Sequence, residues 1–139
     1  MPVHSLGLRV YYEDTDAAGI VYYANYLKFA ERGRTEMMRG LGFAHSAIFA
    51  QTGTAFAVRR LTADYRLPAR LDDWLTVETR IAAAGGATLD LDQQVKRGEQ
   101  VLAAFDIQVA CIGADGRPRR LPAGLRAALR SAAETSLSP

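Results

Sequence analysis

The chain of 139 residues has the length of one domain and is long enough to bury a hydrophobic core. Hydrophobic residues make up 49% of it and charged residues 23%, values of ordinary globular proteins that argue against extended disorder. The net charge of +2 is too small to indicate binding to nucleic acid or to a membrane surface. We therefore expect one domain over residues 1–139, with a short frayed tail from about residue 135.

The first predicted element is a strand over about residues 6–13, where Leu8, Val10 and Tyr12 alternate with polar side chains. No secretory signal precedes this strand pattern, and no apolar run approaches the ~20 residues that a membrane span needs. The cytoplasm is therefore the expected location.

Two carboxylates, Asp14 and Asp16, follow the first strand, and a glycine-containing turn at Gly19 then leads into a helical pattern. An acid is thereby delivered beside a helix start, where free backbone N–H groups and the positive end of the helix dipole point. A carboxylate beside such a pocket can drive attack on a carbonyl carbon. On spacing alone, both aspartates could equally serve only to shape the turn.

A long helix from residue 23 or 24 to residue 39 is the second predicted element, because apolar residues recur there at three- and four-residue steps. Gly40 and Gly42 are expected to end it, and a short helix over about residues 45–50 should follow. The apolar stripe is interpreted as core packing and consists of Tyr23, Tyr26, Leu27, Ala30, Gly33, Met37 and Leu41.

From Thr54 onward the pattern alternates and predicts four strands, followed by a terminal helix over about residues 122–133. An α+β fold in which an antiparallel sheet curls around the long helix buries the helix stripe most economically. Cys111, the single cysteine, lies in the last strand pattern, and we expect a buried, unreactive thiol. The predicted strands cover residues 55–66, 75–81, 89–95 and 101–111.

Four sequence blocks then carry a family resemblance: Val10-Tyr-Tyr-Glu-Asp-Thr-Asp16, Gly19-Ile-Val-Tyr22, Glu31-Arg-Gly-Arg-Thr-Glu-Met37 and Pro68-Ala-Arg-Leu-Asp-Asp73. In this order and spacing they resemble the hot-dog-fold acyl-CoA thioesterases of the 4-hydroxybenzoyl-CoA thioesterase family. The likeness is closest to the Tol-Pal-associated acyl-CoA thioesterases and covers nearly the whole chain. It implies the hot-dog fold, thioester hydrolysis and an acyl-CoA substrate, with acyl carrier protein as an alternative thioester carrier.

The resemblance also implies roles for individual residues. Asp16 matches the second Asp of the family's Asp-x-Asp motif and would be the catalytic carboxylate, either as general base or as nucleophile through a mixed anhydride. Tyr23 matches the position whose backbone N–H is the oxyanion donor; the nearest relatives carry His there, and the hydroxybenzoyl branch carries Tyr. Gly19 and Val21 would bind substrate. At position 19 a residue without Cβ lets the thioester pass close to the backbone.

Arginines could hold the CoA phosphates. Arg59 and Arg60 are expected to alternate between the two faces of their strand, so that one of them reaches a cleft between subunits. The alternatives are a solvated strand face or a salt bridge between subunits, and Arg119 and Arg120 are weaker candidates. The resemblance implies a homotetramer built from dimers that pair their sheets edge to edge. No cofactor is expected, and no Cys/His cluster with metal-ligand spacing is present in the sequence.

Three other functions remain open at this point. A hot-dog dehydratase or hydratase pairs a His with an acid, and no His lies in the block from the first strand to the helix. A non-catalytic acyl-CoA sensor would carry a DNA-binding segment ahead of the fold, for which few residues precede the first strand. A scaffold role could coexist with catalysis.

The acyl group of the substrate also remains open. Short aliphatic and aromatic acyl groups are both possible, since changes in the apolar lining of a pocket discriminate between them by only ~1–3 kcal/mol.

Overall fold

Five strands and three α-helices make up residues 3–137, which the computed structural model describes, with side chains described up to residue 133. A single 3-10 turn precedes the long helix. In chain order the elements are β1 (His4–Arg9), the 3-10 turn (Tyr12–Asp14), α1 (Asn25–Gly40), α2 (His45–Thr52), β2 (Ala55–Tyr65), β3 (Trp74–Ala84), β4 (Thr88–Arg97), β5 (Gln100–Ile112) and α3 (Ala123–Leu137).

All five strands form one antiparallel sheet in the order β1-β3-β4-β5-β2. The short β1 and the long β2 are therefore its two edges. Side chains alternate across the sheet, so that Leu91 of β4 faces the core opposite Ile107 of β5, while Asp92 faces outward opposite Asp106. The alternation places one apolar face against α1 and α3 and leaves the other face polar.

Helix α1 lies against the apolar face of the sheet, and its buried side chains include Tyr26, Phe29 and Met37. Gly33 permits the close approach, because a Cβ at that position would stand 2.6 Å from Cγ1 of Val77 on β3. A buried amide also joins helix to sheet: Gln93 Nε2 donates to the Ala30 carbonyl at 2.9 Å and to Thr79 Oγ1 at 2.8 Å. Its hydrogen bonds offset the cost of burying the polar group. The predicted α+β fold, a sheet curled around one long helix, is confirmed.

The first strand is shorter than predicted, since β1 ends at Arg9 and not near residue 13. The Val10 N–H still bonds to the Asp73 carbonyl at 2.9 Å, but the Tyr11 N–H bonds to Oδ2 of Asp14 at 2.8 Å. This local side-chain bond competes with a strand ladder and turns the chain. Tyr12 consequently stands 82% exposed in the 3-10 turn and not on a strand face.

Two further boundaries differ from prediction. Helix α1 begins at Asn25, so Tyr23 precedes it and is 60% exposed, and its assignment to the core was wrong. Helix α3 continues to Leu137, which overlaps the tail predicted to fray from about residue 135; residues 138–139 lie outside the described part. Among the described helices, none is long and apolar enough to cross a bilayer.

Candidate active site

A tight turn between the 3-10 segment and α1 holds the two aspartates. The Asp16 N–H donates to the Ile20 carbonyl at 2.9 Å, and the Gly19 N–H donates back to the Asp16 carbonyl at 3.0 Å. Gly19 has φ +76°, a left-handed conformation that costs glycine no steric strain. A Cβ on Gly19 would meet no atom within 4 Å, so the backbone angle, and not crowding, is what requires glycine.

The Asp16 side chain is exposed, and its Oδ1 accepts the Ala18 N–H at 2.8 Å. This bond shapes the turn, as the sequence allowed, and it also fixes the orientation of the carboxylate. Within the part of the chain that the structure describes, Oδ2 of Asp16 has no hydrogen-bond partner. One carboxylate oxygen is therefore available to a water molecule or to a carbonyl carbon.

Asp14 has a different environment from Asp16. Its Oδ2 accepts the Tyr11 N–H, and its carbonyl accepts the Tyr22 N–H at 3.1 Å and Asn25 Nδ2 at 2.9 Å. The first bond closes the 3-10 turn on itself, and the other two connect that turn to the start of α1. The side chain and the carbonyl of Asp14 are thus engaged in holding the turn, which is one of the functions that the spacing allowed for the two aspartates.

The start of α1 leaves backbone donors free. Its N-cap, Ala24, supplies no side-chain acceptor, and the N–H groups of Asn25, Tyr26 and Leu27 bond to carbonyls three residues earlier. Among residues 3–137, no acceptor faces the N–H groups of Tyr23 and Ala24. The unsatisfied donors of the helix start are therefore these two amides, at the positive end of the helix dipole.

An aromatic groove of about 230 Å³ adjoins this helix start. The Tyr65 ring of β2 lies 6.0 Å from the Tyr23 ring and 5.5 Å from the Tyr26 ring. Burial raises the pKa of both Tyr65 and Tyr26, so these hydroxyls stay neutral at physiological pH. Val21, 4% exposed, contributes to the floor. The groove is lined by Ile20, Val21, Tyr23, Tyr26, Tyr65, Arg66, Leu67 and Pro68.

Comparison with known proteins then decides the family. The family model described as thioesterase superfamily matches residues 18–104 of the chain. The chain belongs to the thioesterase superfamily. An acyl-CoA thioesterase YbgC from Haemophilus influenzae is 44% identical over 108 residues, which cover 78% of this chain and 79% of that protein. An acyl-CoA thioester hydrolase YbgC from Escherichia coli O6:H1 is 44% identical over 117 residues, 83% of this chain and 87% of that one.

The fold comparison agrees with the family. A solved structure of a probable thioesterase from Bartonella henselae has a TM-score of 0.84 at 38% identity, and the match covers 86% of this chain and 99% of that one. The hot-dog fold and the thioester hydrolase class that the sequence motifs predicted are both confirmed. The family match begins at residue 18, so Asp16 lies just before the matched segment.

The sequence predicted that Arg59 and Arg60 of β2 lie on opposite faces of their strand. In this thioesterase they lie on the same face. The register between β2 and β5 shifts between Val58 and Arg60, which is a β-bulge that adds one residue to β2. Arg59 and Arg60 consequently both donate to Oε1 of Gln108, at 3.2 and 3.4 Å. Gln108 in turn donates to Oδ1 of Asp90 at 2.9 Å. The bulge thus forms one cationic pair on the outer side of the sheet.

Asp72 and Asp73 shape the turn that leads from β2 into β3. Asp72 has φ +70°, and Oδ2 of Asp73 accepts the Arg70 N–H at 2.9 Å and Arg97 Nη1 at 2.7 Å. Burial by itself raises the pKa of Asp73, but the bonds from Arg70 and Arg97 outweigh it and lower that pKa. Arg119, a weaker phosphate candidate, is paired with Asp115 at 3.1 Å.

His45 is the residue that sequence reasoning missed. No role for it followed from the sequence, yet its ring lies 5.5 Å from the Phe56 ring and lines a cavity of about 340 Å³ between α1, α2 and the sheet. Residues distant in sequence meet there, so no local pattern could have indicated it.

In the described residues, no three His, Cys, Asp or Glu side chains are grouped to hold a metal ion.

Proposed function

We propose that this thioesterase hydrolyses short-chain aliphatic or aromatic acyl-CoA to the free acid and CoA. The observation that carries the proposal is the turn at the start of α1, where an oriented carboxylate with a free oxygen lies in the same short segment as unpaired backbone N–H groups. Two relatives at 44% identity are named as acyl-CoA thioester hydrolases, which supports the CoA carrier over acyl carrier protein.

Asp16 acts on the thioester carbonyl carbon in this proposal. As general base, it removes a proton from water while the water oxygen bonds to the carbon; as nucleophile, its own oxygen forms that bond and a mixed anhydride results. In both routes the C–S bond breaks and the CoA thiolate leaves. In the base route the thiolate takes up the proton that Asp16 removed from water. In the nucleophile route water then hydrolyses the anhydride, which releases the acid, restores the Asp16 carboxylate and supplies the proton for the thiolate. The free Oδ2 suits either route, since Oδ1 is already held by the Ala18 N–H.

The Tyr23 N–H, together with that of Ala24, stabilises the oxygen that becomes negative as the carbonyl is attacked. Both amides are unpaired among the described residues and lie at the positive end of the α1 dipole. Removing one such donor typically lowers turnover by ~10²–10³. The polarisation comes from the backbone, so the Tyr23 ring serves as a wall of the aromatic groove.

Replacing Tyr23 with Phe should lower turnover by less than about tenfold, a limit of ~1.4 kcal/mol. The change keeps the backbone amide and the edge contact with Tyr65, and removes only the hydroxyl and its hydrogen bond with the side chain of Tyr22. Steady-state thiol release from an acyl-CoA substrate measures the effect. A loss of several hundredfold would mean that the hydroxyl acts as acid or donor, in place of the histidine that the resemblance to the Tol-Pal-associated group implies at this position.

Arg59 and Arg60 bind the CoA phosphates as a pair in this proposal. Both arginines donate to the side-chain oxygen of Gln108, which is a neutral acceptor. Their two positive charges therefore remain available to an anion. Either Arg→Ala change should raise KM for acyl-CoA more than it lowers kcat, and should matter little for an acyl-N-acetylcysteamine, which has no phosphates. Arg80→Ala, at an exposed position of β3, is the matched control. Equal losses on both substrates would assign the arginines a structural role.

A homotetramer built from dimers, located in the cytoplasm, completes the proposal. The edge strand β2 is 11 residues long and exposes Val58, Leu61 and Tyr65, at 49%, 37% and 41%. An exposed apolar edge of this length is suited to pairing with a second copy. Light scattering at micromolar concentration should report four chains, and a fully active monomer would contradict the assembly.

A further inference from the structure

The cavity beside His45 contains a cation, Arg34, that interacts with the charge of Glu31 but forms no salt bridge among the described residues. Arg34 is half-buried there, and the one hydrogen bond of its side chain to a described residue, from Nη1 to Oε1 of Gln93, is long at 3.5 Å. Between residues 3 and 133, where side chains are described, no carboxylate lies within salt-bridge distance of Arg34. A guanidinium offers five donors, so most of its hydrogen-bonding capacity remains unused.

The surroundings of Arg34 define what an occupant must be. The floor of the cavity is apolar, and its volume of about 340 Å³ falls in the range of small-molecule sites. Burial lowers the pKa of His45, and the positive charges of Arg34 and Arg39 lower it further. The negative charge of Glu31 raises that pKa but does not reverse the shift, so the imidazole is neutral at pH 7. The floor is formed by Met37, Met38, Phe56, Leu89, Leu91 and Val109.

The cavity is separate from the turn that carries Asp16. Arg34 follows Asn25, the first residue of α1, by nine residues, which corresponds to about 14 Å along the helix axis. Glu31 stands at the cavity with its side chain exposed to water, one turn before Arg34. A single negative charge can be accommodated beside Arg34, whereas a phosphate dianion would meet repulsion from Glu31.

We propose that this cavity binds a small monocarboxylate with an apolar body, an aryl or short alkyl acid, whose carboxylate pairs with Arg34. The planar guanidinium matches a carboxylate in two parallel hydrogen bonds, and the apolar floor takes the ring or chain. The acids released by the proposed hydrolysis belong to this class. Binding at the cavity nevertheless stands independently of hydrolysis, because it involves neither Asp16 nor a thioester.

Calorimetric titration with benzoate tests the proposal, with benzamide as the neutral ligand of the same shape. Wild-type protein should bind benzoate at least tenfold more tightly than benzamide. Arg34→Gln should abolish that preference, whereas Arg32→Gln, an exposed arginine on the same helix, should leave it unchanged. Glu31→Gln should tighten benzoate binding a few-fold, since it removes a repelling charge. Opposite effects at neighbouring positions separate recognition of charge from loss of folding.

Methyl labelling of methionine locates the ligand without any substitution in the site. The chain has three methionines, and two of them, Met37 and Met38, lie in the cavity floor. Benzoate should shift these two methyl resonances in wild-type protein and equally in Asp16→Asn. Equal affinity for benzoate and benzamide, equal losses in Arg34→Gln and Arg32→Gln, or methyl resonances that stay unmoved at saturation would overturn the proposal.

Discussion

Replacing Asp16 with Asn should lower acyl-CoA hydrolysis by at least about 10³-fold while leaving the fold intact. The amide keeps the size of the side chain and an oxygen that accepts the Ala18 N–H, so the turn persists. It cannot remove a proton from water or form an anhydride, so both routes to attack are lost. Thiol release at saturating substrate, with thermal unfolding recorded in parallel, measures the two effects.

The same substitution two residues earlier is the matched control. Asp14→Asn also replaces a carboxylate in the turn, but the side chain of Asp14 is engaged by the Tyr11 N–H. Its effect on turnover should stay below about tenfold, and a loss of stability should account for it. If Asp14→Asn were the inactive variant and Asp16→Asn retained near-normal turnover, the assignment of the two aspartates would be reversed.

Replacing Gly33 with Leu should destabilise the protein by more than about 3 kcal/mol, because this position is where α1 touches the sheet. A Cβ alone would stand 2.6 Å from Val77 Cγ1 and 3.2 Å from Gln93 Nε2. The larger side chain must therefore push the helix away from β3 and break the bonds of the buried Gln93. Gly33→Ala should cost less, since the gain in helix propensity partly offsets the crowding.

Gly40→Leu at the end of the same helix is the control for Gly33→Leu. A Cβ at Gly40 meets no atom within 4 Å, and the residue is exposed, so stability should change by less than about 0.5 kcal/mol or rise slightly. Urea unfolding of both variants provides the comparison through their midpoints at constant m. Equal midpoints for the two variants would show that α1 does not pack on the sheet as closely as described.

The sequence predicted the elements well because their periodicity is local. The apolar steps of α1 and the alternation of β3, β4 and β5 each follow from the geometry of a single segment. The turn residues were also recognisable, since Gly19 and Asp72 adopt positive φ where glycine and aspartate are favoured. The catalytic role proposed for Asp16 came from the family motifs, because spacing alone also allowed a role in shaping the turn. The hydrogen bond from the Ala18 N–H shows that Asp16 does shape the turn.

Features that depend on contacts between distant segments could not be predicted. The bulge at Val58 and Arg60 is set by the register with β5, and it reversed the expectation that Arg59 and Arg60 face opposite ways. Tyr23 fits the apolar stripe of α1, but the helix begins two residues later and leaves that ring exposed. The cavity around Arg34 could not be predicted because its lining comes from helices α1 and α2 and from three strands.

The proposed function is tested most directly by free-thiol release from a panel of short aliphatic and aromatic acyl-CoA thioesters, run side by side with wild-type protein and Asp16→Asn. At least one thioester should be hydrolysed by wild type with kcat/KM of ~10⁴ M⁻¹s⁻¹ or more. Asp16→Asn should fall to the rate of the enzyme-free blank on the same thioester. Blank-level rates for wild type across the whole panel, or equal rates for the two proteins, would contradict hydrolysis by Asp16.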